Sequence, residues 1–518
     1  MTLTGAVRGC LVVAGLLAVV PASGSQQPLA AAAARIRDGA SSERLSLERC
    51  VELALRNSHR RKAAASETEV AVARNGQARS GRFPEVSAGA TFTRLDQDPN
   101  FVFPESAIAV PASAFQTPPM TVTLPANAFG PGVPPVNVPL TVPGSTIAIP
   151  AQVMQVPQQN VTLMDRNLFA GSLSAFYPLY TGGLVRARIA QAKAGVEVAR
   201  HEQRRTDLEV VYDVTRAYYA SVLARQLVTL GRDTLTRMEA TLTLTESLYK
   251  TGSGRVKKTD FLRNKSMAES VRAMVADLEH QERTAKAGLE AAVEWDAPAG
   301  IEIADEELAF APKDAKLAAA LDEADSSSPE IARVRAALVA AKAGIDVARS
   351  GHLPKVGTFA DIRLFGNSYD AGIMTARNKT AWSFGVGVEM PLFQGFRVAN
   401  EVRAARAGLQ KLEHQLASLR EGVAFEVKQA CSQLEKARAQ LTATREAYHA
   451  ATENRALNIR AYEDDLVETK DVIEAQLMEA LMAAQHFRAL YDNLEAQARL
   501  DLVAGQAGRP VPRTSAHD

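Results

Sequence analysis

A chain of 518 residues with 23% charged residues and a formal net charge of +1 has no polycationic stripe, so no nucleic-acid partner is expected. Three cysteines are too few for a disulfide framework, and Cys50 and Cys431 read as small buried apolar residues. The eight histidines never recur at i, i+3 or i, i+4, no glycine-rich phosphate loop follows a strand, and no nucleophile motif is found. No metal, cofactor or enzymatic activity is expected.

At the N-terminus, Arg8 precedes an apolar run from Leu11 to Val20 and the small residues Ala22, Ser23 and Gly24, the pattern of a secretory signal peptide over residues 1–24. An N-terminal extension covers 25–44. The apolar run is shorter than the ~20 residues that a membrane-spanning helix needs. After residue 40 no segment is long and uncharged enough either, so any membrane crossing has to be a β-barrel.

The rest of the chain repeats itself. RSGRFPEV at 79–86 returns as RSGHLPKV at 349–356, and PLYTGG at 178–183 returns as PLFQGF at 391–396. The offset is 354 − 84 = 270 at the first pair and 391 − 178 = 213 at the second. It stays at 213 from Tyr249 to Tyr462 and falls to 211 from Asp260 to Asp471. Two tandem repeats follow, 45–300 and 317–504, each running helix, strand, strand, long helix, helix. A linker spans 301–316 and a tail 505–518.

Four segments alternate with period two, as half-exposed strands do. They are expected near 86–95, 167–177, 356–364 and 382–390. In the last, Trp382, Phe384, Val386, Val388 and Met390 alternate with Ser383, Gly385, Gly387 and Glu389. One face suits lipid and the other water, and lengths of about 9–11 residues fit tilted transmembrane strands. Gly385→Ser, on the watery face, is expected to be tolerated. Four strands cannot close a barrel, since the narrowest have about eight, so the chain has to oligomerise. A soluble sheet with one wet face fits the same alternation.

Between the first two strands, the stretch from Pro99 to Pro157 holds 13 of the 24 prolines, and Glu105 is its one charge. A surface loop over 97–165 of extended or polyproline character is expected, because proline fixes φ and removes ladder donors. Helical hairpins should follow over 183–295 and 397–504. Their seams are Leu208, Val211, Thr215, Tyr218 and Val222, then Leu235, Met238, Leu242, Thr245 and Tyr249, and in the second repeat Leu409, Leu412, Leu416, Leu419 and Val423, then Val427 to Tyr448. About 67 residues at ~1.5 Å each make a rod near 100 Å. Periodicity breaks at Gly252–Asp260 and Tyr462–Asp471, the hairpin tips.

In order and spacing, these features resemble the TolC-like outer membrane efflux proteins. The resemblance rests on LSLERCVELALRNS at 45–58, the paired entries and exits of the strands, and the tips GRVKKTDFL at 254–262 and DLVETKDVIEA at 465–475. It implies a mainly α protein with a transmembrane β-barrel portion: a homotrimer whose β-barrel, set in outer-membrane lipid, continues as a periplasmic α-barrel. It implies an export duct of a tripartite efflux or type I secretion system, docked onto a periplasmic adaptor and an inner-membrane pump of RND, ABC or MFS type. The matching gate positions are Thr259, Asp260, Tyr462, Asp471 and Glu474. Asp471 and Glu474 lie three apart on one helix face, so a trimer would stack them as acidic rings that select cations. The tips that would dock the adaptor hold Gly252, Gly254, Arg255, Val256, Leu466 and Val467. Val467 stands where the family's better-studied members carry an arginine, so the resemblance does not carry that residue's ionic latch over to this chain. Acidic residues at a solvated helix end fit the same pattern. A secreted periplasmic coiled-coil adaptor or scaffold without a barrel is the alternative reading of the whole chain.

Overall fold

The computed structural model describes residues 44–110, 113–116, 146–149, 152–251, 256–296, 300–310, 316–367, 379–464 and 466–506. The expected signal peptide and C-terminal tail lie outside this set, apart from the tail's first two residues. Two compact units emerge, each drawn from both repeats. One comprises Met1–His59, Asp207–Ala320 and Val427–Asp518; the other comprises Arg60–Thr206 and Leu321–Glu426.

Local chemistry sets the helix boundaries. Helix α1, Leu47–Asn57, starts where the Ser46 hydroxyl accepts a hydrogen bond from Arg49 N at 3.4 Å, and it stops at Ser58 before α2, His59–Ser80. Helix α3 is Leu184–Lys250 and α4 is Lys258–Val293. In the second repeat, α5, Leu317–Ser327, ends at Ser328, whose hydroxyl accepts from Ile331 N and caps α6, Pro329–Arg349. Pro329 fits the first turn, where a missing N–H has no helical partner to lose. Helices α7, Arg397–Glu463, and α8, Thr469–Val503, close the chain. The α1 and α5 starts differ by 270, the α3 and α7 starts by 213, and the α4 and α8 starts by 211.

The unit of Arg60–Thr206 and Leu321–Glu426 contains the strands. In chain order these are β1, Glu85–Arg94; β2, Asn100–Phe103; β3, Ser106–Val110; β4, Ser113–Gln116; β5, Thr146–Ile149; β6, Gln152–Val156; β7, Gln159–Thr162; β8, Asn167–Tyr180; β9, Lys355–Gly366; and β10, Thr380–Glu389. Four of them form an antiparallel sheet in the order β1-β8-β9-β10, so the β8–β9 pairing joins the two repeats. Register puts Val86, Ala175, Ala360 and Phe384 in one row and Ala88, Leu173, Ile362 and Trp382 in another. That face carries one charge, Arg94 at the end of β1, and Trp382 and Val386 are 79% and 60% exposed. The other charged residues of these rows, Glu85, Lys355, Asp361, Arg363 and Glu389, have the opposite parity. Edges β1 and β10 have no neighbouring strand among the described residues.

Two expectations change here. In its described residues the proline-rich insert is extended, as paired strand rather than polyproline: β2 pairs with β7, β3 with β6 and β4 with β5, all antiparallel. Pro104 and Pro157 fall in the gap of the ladder between the first two pairs. A missing donor therefore costs no ladder hydrogen bond. Gly385 also proves less free than expected, because a Cβ there would lie 2.5 Å from Phe359 Cζ. Serine at 385 has to push that ring aside.

In the other unit, α1 packs on α3 and α4 around Cys50, Ala54, Val214, Tyr218, Val222, Leu289, Val293 and Ile303. Fully burying each large aliphatic there contributes about 1.5–3 kcal/mol. A parallel bridge pairs Leu45 with Ile303, and the Tyr218 hydroxyl donates to Asp305 Oδ2 at 2.9 Å. Burial, then the Asp305 carboxylate, raise the Tyr218 phenol well above its ordinary range. Burial pushes the Cys50 thiol up to about 11. Both Cys50 and Cys431 are buried and free.

Candidate functional site at the hairpin tips

The two tips are built alike at their helix starts. Lys257 N donates to Asp260 Oδ2 at 3.1 Å, and Glu468 N donates to Asp471 Oδ2 at 3.0 Å. Each aspartate sits at the third helical position and reaches back over the first turn, as a capping-box acid does, where the helix dipole favours negative charge. Part of the acidic signal at 260 and 471 is thus helix-start chemistry. Glu474, one turn further along α8, is exposed and Asp471 is half-buried.

The Tyr462 hydroxyl is engaged inside its own hairpin, accepting from Thr469 Oγ1 at 3.2 Å. Among the described residues no hydrogen bond joins Asp260 to Tyr462 within the protomer. In the first hairpin the matching Tyr249 instead stacks on Phe261, with centroids 5.9 Å apart and planes 4° from parallel. Thr259 is exposed. Of the expected docking residues, Leu466 is 76% exposed and Val467 half-buried, whereas Val256 is buried. Gly252, Gly254 and Arg255 lie outside the described residues.

Behind the tips, Met238 of α3, Ala268, Val271 and Val275 of α4 and Ile473 of α8 form one apolar cluster. Beside it runs a buried polar line that sequence reasoning missed. Glu479 of α8, its side chain 7% exposed, lies 2.8 Å from Arg455 Nε of α7 and 3.7 Å from Arg237 Nη2 of α3. Gln476 Nε2 donates to Thr241 Oγ1 at 3.4 Å, and Asn264 Nδ2 donates to Thr245 Oγ1 at 3.2 Å. The signal was present: Val472, Gln476, Glu479 and Ala483 step along one buried stripe of α8, which puts a carboxylate on an apolar face.

Among the described residues no helix is long and apolar enough to cross a membrane. The chain is similar to Protein CyaE of Bordetella pertussis, 29% identical over 259 residues, covering 49% of this chain and 52% of that protein. The match thus spans about half the length of that relative. The fold is similar to that in crystal structures of CusC, with a TM-score of 0.65 at 15% identity over 89% of this chain and 92% of that one. It is also similar to the Campylobacter jejuni CmeC outer membrane channel, with a TM-score of 0.64 at 14% identity over 89% and 86%. The outer membrane efflux protein family matches residues 154–293 and 320–506, more than half of the chain, and the chain belongs to that family.

Proposed function

We propose that the chain is the outer-membrane duct of a tripartite efflux or type I secretion system. It assembles as a homotrimer that passes solutes from the periplasm to the exterior and draws energy from an inner-membrane pump through a periplasmic adaptor. The observation that carries this is the β1-β8-β9-β10 sheet, one face of which is apolar but for Arg94 at a strand end, with both edges open among the described residues. In lipid, an open edge leaves backbone donors and acceptors unsatisfied, so the sheet has to close on further copies, three giving twelve strands. The scaffold reading has no use for such a sheet.

Exposed Leu466 suits adaptor docking at the second tip, while buried Val256 at the first tip offers backbone only. At the entrance, Glu474 is the more available carboxylate, and Asp471 divides its charge between the cap and the passage. Asp471→Ala with Glu474→Ala should lower cation preference and weaken block by multivalent cations in planar-bilayer recordings. Unchanged selectivity in that double mutant would remove the gate assignment. The duct itself is tested by Val386→Arg on the apolar face, which should cost about 2–4 kcal/mol near mid-membrane and impair insertion. A mutant that fractionates with the outer membrane at wild-type yield would overturn it.

A further inference from the structure

The charged face of the sheet carries, besides Phe365 at the far end of β9, two aromatic residues that a simple polar lumen does not require. Register places Glu85, Phe176, Phe359 and Gly385 in one row across the four strands, and Ser87, Ser174, Asp361 and Ser383 in the next. Parity puts both rows on the face opposite Val386 and Trp382, hence toward the lumen in the duct reading on which this inference rests. The row lies near the helix-proximal end, since β8 runs on into α3 and β9 follows α6.

Glycines seat both rings. A Cβ at Gly357 would lie 2.6 Å from Phe176 Cε2, and one at Gly385 would lie 2.5 Å from Phe359 Cζ. Each ring therefore lies across a neighbouring strand instead of standing upright, and Phe176 and Phe359 still keep 49% and 41% of their surface exposed. Rings laid flat make an apolar surface rather than a plug. The charges beside them are acidic: Glu85 in the same row, and Asp361 in the next, where it accepts from Ser174 Oγ at 2.8 Å. Arg363 stands one row beyond, and Lys355 lies opposite Glu389 past the glycine row on the other side.

The geometry points to a binding belt for organic cations, formed by Phe176, Phe359 and Glu85 with Asp361 behind them. Aromatic faces attract cations through the ring quadrupole, and bulky organic cations shed water more readily than metal ions. A trimer holds 2 × 3 = 6 such rings and as many carboxylates. The belt makes the barrel's inner end selective by charge and apolarity rather than by width.

Purified trimers in planar bilayers, probed with tetraphenylphosphonium and with tetraphenylborate of the same shape, test this. The cation should block the wild-type channel and the anion should block far less. Phe176→Leu with Phe359→Leu keeps the apolar volume and removes the π faces, and should weaken the cation block about tenfold at unchanged single-channel conductance. Glu85→Gln should weaken it with both rings in place, which provides the reading if the leucine pair fails to insert. Conducting channels blocked equally by both ions, or unaffected by the substitutions, would overturn the belt and leave the duct standing. A wild-type protein that forms no conducting channel would overturn the duct and the belt together.

Discussion

The two hairpin tips share one backbone plan and differ in what fills it. Asp260 and Asp471 make the same hydrogen bond, back to the amide three residues earlier, and sit 211 residues apart. Two turns deeper the likeness ends. Where α8 buries Glu479 against Arg455 and Arg237, the matching positions of the first hairpin are Ala268, fully buried, and Leu242. Helix starts obey local rules that both repeats must satisfy, whereas a buried carboxylate is stable only where cations meet it. At this depth the first hairpin buries alanine and a neutral Asn264–Thr245 pair, and the second buries a carboxylate.

The largest expected effect separates them at that point. Glu479→Ala leaves two arginines facing a hole and should cost about 3–5 kcal/mol, read as a lower unfolding midpoint of the detergent-solubilised protein. Adding Arg455→Leu, which copies the first hairpin, should recover much of the loss. A single mutant that melts with the wild type would show that the three side chains are not coupled.

Next come the caps, where the hairpins should behave alike. Asp260→Ala and Asp471→Ala should each cost about 1 kcal/mol, with hydrogen exchange faster only in the first turns of α4 and α8. A difference between the two much larger than their common cost would mean that one aspartate also carries a contact outside its own helix.

The tyrosines should then diverge again. Tyr462→Phe removes the acceptor of a buried Thr469 hydroxyl and should cost about 1 kcal/mol. Tyr249→Phe keeps the stack on Phe261 and should be neutral. Equal losses in the same thermal assay would place the Tyr249 hydroxyl in an unrecognised contact.

The smallest effect concerns Cys50, whose counterpart 270 residues on is Ala320. Burial, and to a lesser extent Asp305, raise this thiol from 9 to about 11. The folded state therefore favours the protonated form, so this contribution is intact below pH 9 and declines as pH rises toward 11. Cys50→Ala should flatten the fall of stability across that window. A profile identical to that of the wild type would assign the alkaline loss to other groups, Tyr218 first.

Motif offsets of 270, 213 and 211 were legible in the chain, and the helix starts differ by the same intervals. The strand alternation was legible as well, because a period of two survives whatever lies across the strand. In the helices, the seam through Leu208, Val211, Tyr218 and Val222 is buried, but Val210 and Val214 are buried too. A helix covered on more than one side outgrows a single heptad seam.

Sequence alone determined the repeat, the lipid-type face of each strand and the positions of the tips, all of which depend on neighbours close along the chain. Tertiary structure decided the β8–β9 pairing that joins the repeats, the placing of Phe176 and Phe359 over glycines of adjacent strands, and the meeting of Glu479 with Arg237 and Arg455. Those three facts bring together residues of separate elements. No local pattern encodes such a meeting, because the energy that fixes it comes from cross-strand register and from side chains that touch only once the helices have packed.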